Sequence, residues 1–564
     1  MHPVLDTTMD RYQSLRDSYR LDPPKTFNFG TDVVDAWAAD AARNAAAPAL
    51  IWCNAAGLER SYSFAEIAGL TDRLAAALSR RGVGRGDRVL IMLPRIPAWQ
   101  LAMVAVLKLG AIAIPCVTML TAKDIDYRLS NSDARAVITT SAEIAKFASS
   151  RPDVLRISVD PLSLPGDSSD ETSAPEAWQP LGALLAEDAT GFEPAIVQAE
   201  NPALIFYTSG STGLPKGVTH AARALFAWRG SAEHWLDLGP DDVMFCTADT
   251  GWSKAGTSIL FGPWSRGSTV LFYDGPFDAD YRLELIARYG VTVYCAAATE
   301  LRRLVALNLG ANPVPSLRLT VSAGESLNPP VLESWKAMTG RPVLEAYGLT
   351  ETLMLVANYR DTEVRPGAMG RALPGVTLDL ITTEGVFAAP GETGQIALRL
   401  PSPHLMLGYW QDPERTASTM TTVSGQAYFL TGDNARADED GYLYYEGRAD
   451  DVINSAGYRI GPQEVENALV EHPLVREAAA VPTPDSERGE VVKAFVVLHD
   501  GHQGTDSLAK ELQDFVKRLT APYKYPRRIE FVTELPKNPV GKIQRRLLRQ
   551  QEFDVFRALT QTKA

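Results

Sequence analysis

The sequence predicts an α/β protein with a large N-terminal domain of doubly covered, mostly parallel sheets plus a small β subdomain, followed by a small C-terminal α+β domain. Three observations carry this. A βαβα rhythm begins at Gly86 and, after an interruption, resumes beyond Val243. Strands alternating with helices are the pattern of parallel sheets covered on both faces. After Pro374 the texture changes to short apolar runs punctuated by glycine, and from about Ala449 a compact helix, strand, strand, helix series closes the chain. A chain of 564 residues is too long for one ordinary core. The expected domains are residues 1–449 and 450–564.

In order, Gly86–Leu93 (GDRVLIML) reads as a strand, Ala98–Lys108 as an apolar-faced helix and Gly110–Ile114 as a second strand. Asp124–Ser130 predicts a helix and Ala134–Thr139 a strand. The glycines of GVGRGD at Gly82–Asp87 fail the dinucleotide fingerprint, which needs glycine at Asp87 and a strand before the motif. Asp160–Pro194 is rich in Pro, Ser, Asp and Glu and reads as a long surface excursion. Ala203–Phe206 is a buried strand, and the strand signals Val243–Thr247, Ser268–Tyr273, Val291–Cys295 and Leu317–Ser322 enclose helices Tyr281–Tyr289 and Thr299–Asn308. Val376–Ile381 and Gln395–Leu400 are the short strands of the β subdomain. The last domain carries helix Pro462–Glu471, strands Ala478–Val481 and Ala494–Leu498, and helix Ser507–Leu519.

Composition excludes several function classes. Hydrophobic residues at 45% and charged residues at 22% describe a soluble globular protein. No run of about twenty apolar residues could span a membrane. The first twenty residues lack an apolar stretch and mix Asp6, Asp10 and Asp17 with arginines, unlike a targeting peptide, so a cytoplasmic location is expected. Cys53, Cys116, Cys246 and Cys295 form no CxxC pair, and the seven histidines make no HxxxH or HExxH, so no permanent metal site is expected. A net charge of −13 argues against nucleic-acid binding. From Lys517 to Arg549, however, ten basic residues face two acidic ones, either as a solvated face or as a site for a polyanionic small molecule.

Chemistry enters at Tyr207–Gly217, YTSGSTGLPKG, directly after a strand. Gly210, Gly213 and Gly217 permit positive φ and close approach to a ligand, while Thr208, Ser209, Ser211 and Thr212 offer hydroxyls beside free amides. Amides converging in a turn make an anion site, and Lys216 adds a charge at its edge. The pattern GxxxxGK[ST] is not met, so this is another kind of phosphate loop.

YTSGSTGLPKGVTH resembles the phosphate loop of the adenylate-forming superfamily, and further motifs follow in the order of that family. EAYGLTET at Glu345–Thr352 resembles its second core motif. The resemblance implies that Glu345, Ala346, Tyr347 and Gly348 border the nucleotide, with Tyr347 packing on adenine. Thr350 then contacts the α-phosphate and Glu351 helps bind magnesium, which suits a hard carboxylate. SAGESL at Ser322–Leu327 resembles the loop bordering adenine and the acyl group, through Gly324 and Glu325. In LTGDN and YEGRADDVINSAGYR, Asp433 matches the residue that accepts from both ribose hydroxyls, Arg448 a ribose and phosphate contact, and Asp450 the hinge of a mobile C-terminal domain. Ala456, Gly457, Tyr458 and Arg459 match the entry of the thiol. PKNPVGKIQR at Pro536–Arg545 resembles the motif that carries the catalytic lysine, here Lys542, with Asn538, Pro539 and Val540 departing from the usual PKTxSGK.

What the resemblance implies is an AMP-forming acid–thiol ligase: carboxylate and MgATP give acyl-AMP and pyrophosphate, and CoA takes the acyl group. Mg2+, ATP and CoA are the implied cofactor and co-substrates, with Arg488 and Lys517 as further candidates for the CoA phosphates. GRADDVINSAGYRIGPQEVENAL, APYKYPRRIEF and ADTGW are most similar to the medium-chain acyl-CoA synthetases. Acetyl-CoA synthetases carry a tryptophan where this chain has Gly348, which implies a deeper pocket bordered by Gly348, Trp252 and Ser253. The alternatives are an aryl (benzoate-type) acid CoA ligase and a catalytically weak ATP-binding regulatory protein. The partners expected are small molecules, with no nucleic acid and no integral membrane contact; self-association is left open.

Overall fold

Alternation along the buried strands decides the layering. In the strand Arg88–Met92, Val89 and Ile91 enter one core while Leu90 and Met92 enter another. In Thr269–Asp274, Val270 and Phe272 join the first of these cores, and Leu271 and Tyr273 a third. Successive strand residues point to opposite faces, so each sheet is covered on both sides. The shared core between the sheets is filled by helices Phe64–Arg80, Pro97–Lys108 and Ala222–His234, and the outer faces by Ala122–Ser132 on one side and Ala279–Arg288, Ala298–Val305 and Pro329–Thr339 on the other. Ser63 and Thr121 close capping boxes at two of these helices, which fixes where they begin.

The computed structural model describes residues 8–148, 151, 153–160, 175, 177–208, 214–310, 312–324, 327, 329–360, 362–448, 451, 453–455, 458–485, 489–520, 524–537 and 543–561. Among these described residues one sheet has eight strands, parallel from Pro202–Thr208 through Ile112–Pro115, Arg88–Met92, Ala136–Thr140 and Leu155–Val159 to Gln179–Pro180. The other has fourteen, with a parallel centre from Val343–Leu349 through Leu319–Ala323, Val293–Cys295, Val243–Cys246 and Thr269–Asp274 to Leu50–Asn54. A third sheet of five strands is built from residues after 452, around the long hairpin of Val475–Asp485 and Gly489–Leu498. Among the described residues no helix is long and apolar enough to cross a membrane.

The β subdomain gains a detail, and one expectation changes. The short strands after Pro374 are hydrogen-bonded into the fourteen-strand sheet through the pairing of Ala368–Ala372 with Leu443–Arg448. That junction needs Gly370, at φ +110°, because a Cβ there would lie 2.1 Å from the carbonyl oxygen of Ala357. Within Asp160–Pro194, residues 161–174 lie outside the described residues, but the remainder is not all surface. Trp178 packs edge-on to Phe147 at 5.7 Å, and helix Leu181–Ala186 buries Leu181, Leu184 and Leu185. The polar composition of the segment concealed this apolar anchor.

Candidate active site

The phosphate-loop candidate sits at the tip of an antiparallel hairpin, Pro202–Thr208 against Lys216–Ala221. Ser209, Gly210, Ser211, Thr212 and Gly213 lie outside the described residues. Their flanks are pinned. Tyr127 donates to the carbonyl of Pro215 at 2.9 Å, and Tyr207 to Asn131 Oδ1 at 2.6 Å. Thr208 stands opposite Lys216, its hydroxyl buried with no hydrogen-bond partner among the described residues. Gly217 is not a positive-φ turn residue, contrary to expectation: it lies in the strand, where a Cβ would come 3.0 Å from Ile205 and 3.1 Å from Trp410.

The EAYGLTET stretch forms strand Val343–Leu349 and the turn into Leu353–Ala357, beside the hairpin. Across that junction Lys216 Nζ lies 2.7 Å from Glu351 Oε1. Tyr409 completes the group, its hydroxyl 2.9 Å from each of those two atoms. Burial disfavours the Glu351 charge, yet Lys216 and Tyr409 outweigh it and hold the carboxyl below the usual range. Burial also drives the fully enclosed His220 down to about 4, so it is neutral; its Nε2 meets the carbonyl oxygen of Thr350 at 2.6 Å. Ser253 Oγ stands 3.4 Å from Thr350 Oγ1. Thr350, Glu351, Lys216 and Ser253 are thus brought together.

A second group links the strand Val343–Leu349 to Gln426–Ala437 and Leu443–Arg448. Tyr347 donates to Asp433 Oδ2 at 2.7 Å, Tyr445 to Oδ1 at 3.2 Å, and Arg448, opposite Asp433 across the ladder, reaches Oδ1 at 3.5 Å. Burial, then the Asp433 charge, raises both tyrosines, keeping them protonated donors. Gly324, just after the neighbouring strand Leu319–Ala323, takes φ +96°, a conformation that favours glycine. Glu345 beside it accepts the backbone N–H of Leu327 at 2.9 Å, and burial pushes its carboxyl up to about 7. Ala346 lies between Ala323 and Ala357 in the sheet.

The acyl-pocket set is only partly consistent with a simple cavity floor. Trp252 is half-buried at the head of the Ser253 helix, and Gly251 before it lets this loop press on the other sheet, since a Cβ would lie 2.2 Å from the amide nitrogen of Val117. Gly348 sits at a register shift in the ladder, where a Cβ would meet the carbonyl oxygen of Leu353 at 2.0 Å. Glycine there serves backbone packing first.

Of the C-terminal candidates, Asp450, Ala456, Gly457, Arg488 and Lys542 lie outside the described residues, as does Glu325. Tyr458 and Arg459 stand on a short strand opposite Ser455 and Asn454. Lys517 pairs with Asp514 at 3.1 Å and covers the ring of Tyr525 at 4.1 Å. Other members of the basic segment are also engaged, Lys524 with Glu464 at 2.6 Å and Lys537 with Glu477 at 2.5 Å. Lys537 and Ile543, on either side of Lys542 in the sequence, pair in an antiparallel bridge. Burial works against the charge of Arg545, but Glu466, which grips it at 2.5 Å, and then Asp451 and Tyr445 outweigh this and raise its guanidinium further.

The AMP-binding enzyme family model matches residues 37–410, and the model of the AMP-binding enzyme C-terminal domain matches 464–542. The chain belongs to the AMP-binding enzyme family. The chain is 39% identical over 557 residues to acyl-coenzyme A synthetase ACSM3, mitochondrial, of Homo sapiens, covering 96% of this chain and 92% of the relative. Among solved structures it is similar to a Brucella canis acyl-CoA synthetase (33% identity, TM-score 0.72, 96% of this chain and 99% of that one) and to a benzoate CoA ligase from Burkholderia xenovorans LB400 (29%, TM-score 0.79, 93% and 100%). Within the AMP-binding family the chain therefore falls among the acyl-CoA synthetases. The relatives named ACSM3 and ACSM5 are mitochondrial, and this overturns the cytoplasmic expectation. That expectation rested on the first twenty residues alone.

Sequence reasoning missed Tyr409, His220 and Tyr445. Tyr409 lies in LGYW, some sixty residues from Glu351, and no spacing rule brings the two together.

Proposed function

We infer that this synthetase converts a medium-chain carboxylic acid, ATP and CoA into acyl-CoA, AMP and pyrophosphate through an acyl-adenylate. The observation that supports this most directly is the convergence of Lys216 with Glu351 and of Tyr347 and Arg448 with Asp433. One group suits a triphosphate with its metal, the other a ribose. Lys216 and the loop 209–213 hold phosphate oxygens. A buried carboxylate oxygen such as those of Glu351 is the donor that a hard divalent ion takes, so Mg2+ entering with ATP would be held there. Thr350 steadies the α-phosphate while the acid's carboxylate attacks phosphorus and pyrophosphate leaves. Activation as a mixed anhydride divides one hard acyl transfer into two easier steps.

We place the domain boundary between Ala449 and Asp450. Rotation at Asp450 brings first Lys542, whose ammonium stabilises charge developing between carboxylate and α-phosphate, and then Ala456–Arg459, beside which the thiol of CoA enters. Arg459, Arg488 and Lys517 are the proposed contacts for CoA phosphates, Lys517 by exchanging its partner Asp514. Trp252 and Ser253 border the acyl chain, each buried CH2 adding about 0.8 kcal/mol. The likeness to a benzoate CoA ligase supports an aryl acid as the second reading.

Pyrophosphate release with acetate, C4 to C12 acids and benzoate, with and without CoA, tests the reading. Release and CoA-dependent thioester formation are expected to peak among the C4 to C12 acids. A maximum at benzoate would favour the second reading, and no release with any acid would overturn both.

A further inference from the structure

We propose that Tyr409 is a positioning residue for the carboxylate of Glu351: its hydroxyl fixes one oxygen and so presents the other to the divalent ion carried by ATP. The proposal rests on the metal role of Glu351 given above.

Three atoms make a closed triangle. Lys216 Nζ is 2.7 Å from Glu351 Oε1 and 2.9 Å from the Tyr409 hydroxyl, which is itself 2.9 Å from the same carboxylate oxygen. The segment bearing Tyr409 is built to hold it there. Gly408 and Tyr409 pair with Thr219 and Val218 on the hairpin strand that begins at Lys216. Two residues earlier, the amide of Met406 donates to the backbone carbonyl of Glu351 at 2.8 Å, so this segment grips both the backbone and the side chain of one residue. Gly408 takes φ +149° with no space for a Cβ, which would lie 2.9 Å from Thr416, and the hydroxyl of Thr416 accepts the Tyr409 amide at 2.9 Å. Tyr409 is 7% exposed and Glu351 6%.

Lys216 and Tyr409 are not equivalent partners for Glu351. A lysine ammonium has three donors and turns readily toward a phosphate, whereas a phenol has a single proton and a rigid ring. Once Lys216 engages the triphosphate, Tyr409 is the member of the triangle left to hold Oε1. A buried carboxylate that loses a donor is costly, and a hydrogen bond to a charged group is among the stronger ones. Without the hydroxyl the carboxylate is free to rotate, and its metal-facing oxygen loses a fixed position.

Tyr409→Phe removes only the hydroxyl and keeps the ring face that Lys216 covers at 4.5 Å. Calorimetric titration of the full chain with MgATP, and with ATP in EDTA, without acid or CoA, reads the gain in affinity that magnesium confers. In Y409F that gain is expected to fall about tenfold or more, with affinity for metal-free ATP little changed. In the background of Glu351→Gln, Y409F should cost nothing further, since its target is already lost. If E351Q loses the magnesium gain while Y409F keeps it, or if the two losses add in the double variant, the proposal is overturned. An E351Q that keeps the gain overturns the metal role of Glu351, and the proposal with it.

Discussion

Tyr347 donates its hydroxyl to Oδ2 of Asp433 at 2.7 Å, joining two motifs 86 residues apart. The contact holds Asp433, on the strand Gln426–Ala437, toward the strand that carries Tyr347, with Tyr445 and Arg448 on its other oxygen. Asp433→Asn keeps the shape and removes the charge that ribose hydroxyls would donate to. Its KM for ATP is expected to rise roughly ten- to hundredfold, from the loss of charge-assisted hydrogen bonds. KM for the acid should change little, and steady-state kinetics with each substrate varied reads the difference. An unchanged KM for ATP would remove Asp433 from the nucleotide site.

Gly348 gives a second expectation. A side chain there meets the carbonyl oxygen of Leu353 before it reaches any cavity. Gly348→Ala is expected to cost about 3 kcal/mol of stability in urea unfolding. Gly348→Trp should therefore lower the yield of folded protein rather than simply move the preference toward acetate. A stable G348W with a clean shift to acetate would show that the ladder absorbs the change.

Glu345 sets a pH dependence. Its carboxyl is raised by burial from an ordinary 4.5 to about 7, so between those values the folded chain binds more protons than the unfolded one. Stability from this group is then fully present below about 4.5 and falls as pH rises toward 7, by a few kcal/mol at most. Glu345→Gln should flatten that part of the stability profile in denaturant titrations at pH 5 and 7.5. Equal pH slopes for both proteins would mean that Glu345 ionises freely.

Lys542 carries the adenylation step in the proposed mechanism. Lys542→Ala is expected to slow pyrophosphate release roughly 100-fold or more, while thioester formation from supplied acyl-AMP and CoA persists. Equal loss in both half-reactions would assign Lys542 a general structural role instead.

Much of this architecture is legible in the chain. The continuous apolar runs within Gly86–Leu93 and Ser268–Tyr273 became strands because both neighbouring faces are apolar, so each residue had a core to enter. Asp433 and Arg448, found by motif, are direct neighbours across one ladder. What stayed hidden is long-range. Tyr409 reaches Glu351 through strand pairing that no local signal encodes, and Gly348 reads as an open floor until the opposing carbonyl of Leu353 is placed. His220, a lone histidine in an apolar strand, looks like core until its 2.6 Å contact with the carbonyl of Thr350 is seen. The apolar anchor at Trp178–Leu185 was masked by the polar residues around it.

The most direct measurement of the central claim follows the carboxylate oxygens. A C8 acid labelled with 18O in both oxygens is turned over with MgATP and CoA, and the released AMP is weighed by mass spectrometry. Attack of the carboxylate on the α-phosphate, then of the thiol on the carbonyl carbon, leaves one labelled oxygen on AMP and one in the thioester. AMP carrying a single 18O is the expected result. Unlabelled AMP, or label in inorganic phosphate, would contradict an acyl-adenylate and with it the proposed roles of Thr350, Glu351 and Lys542.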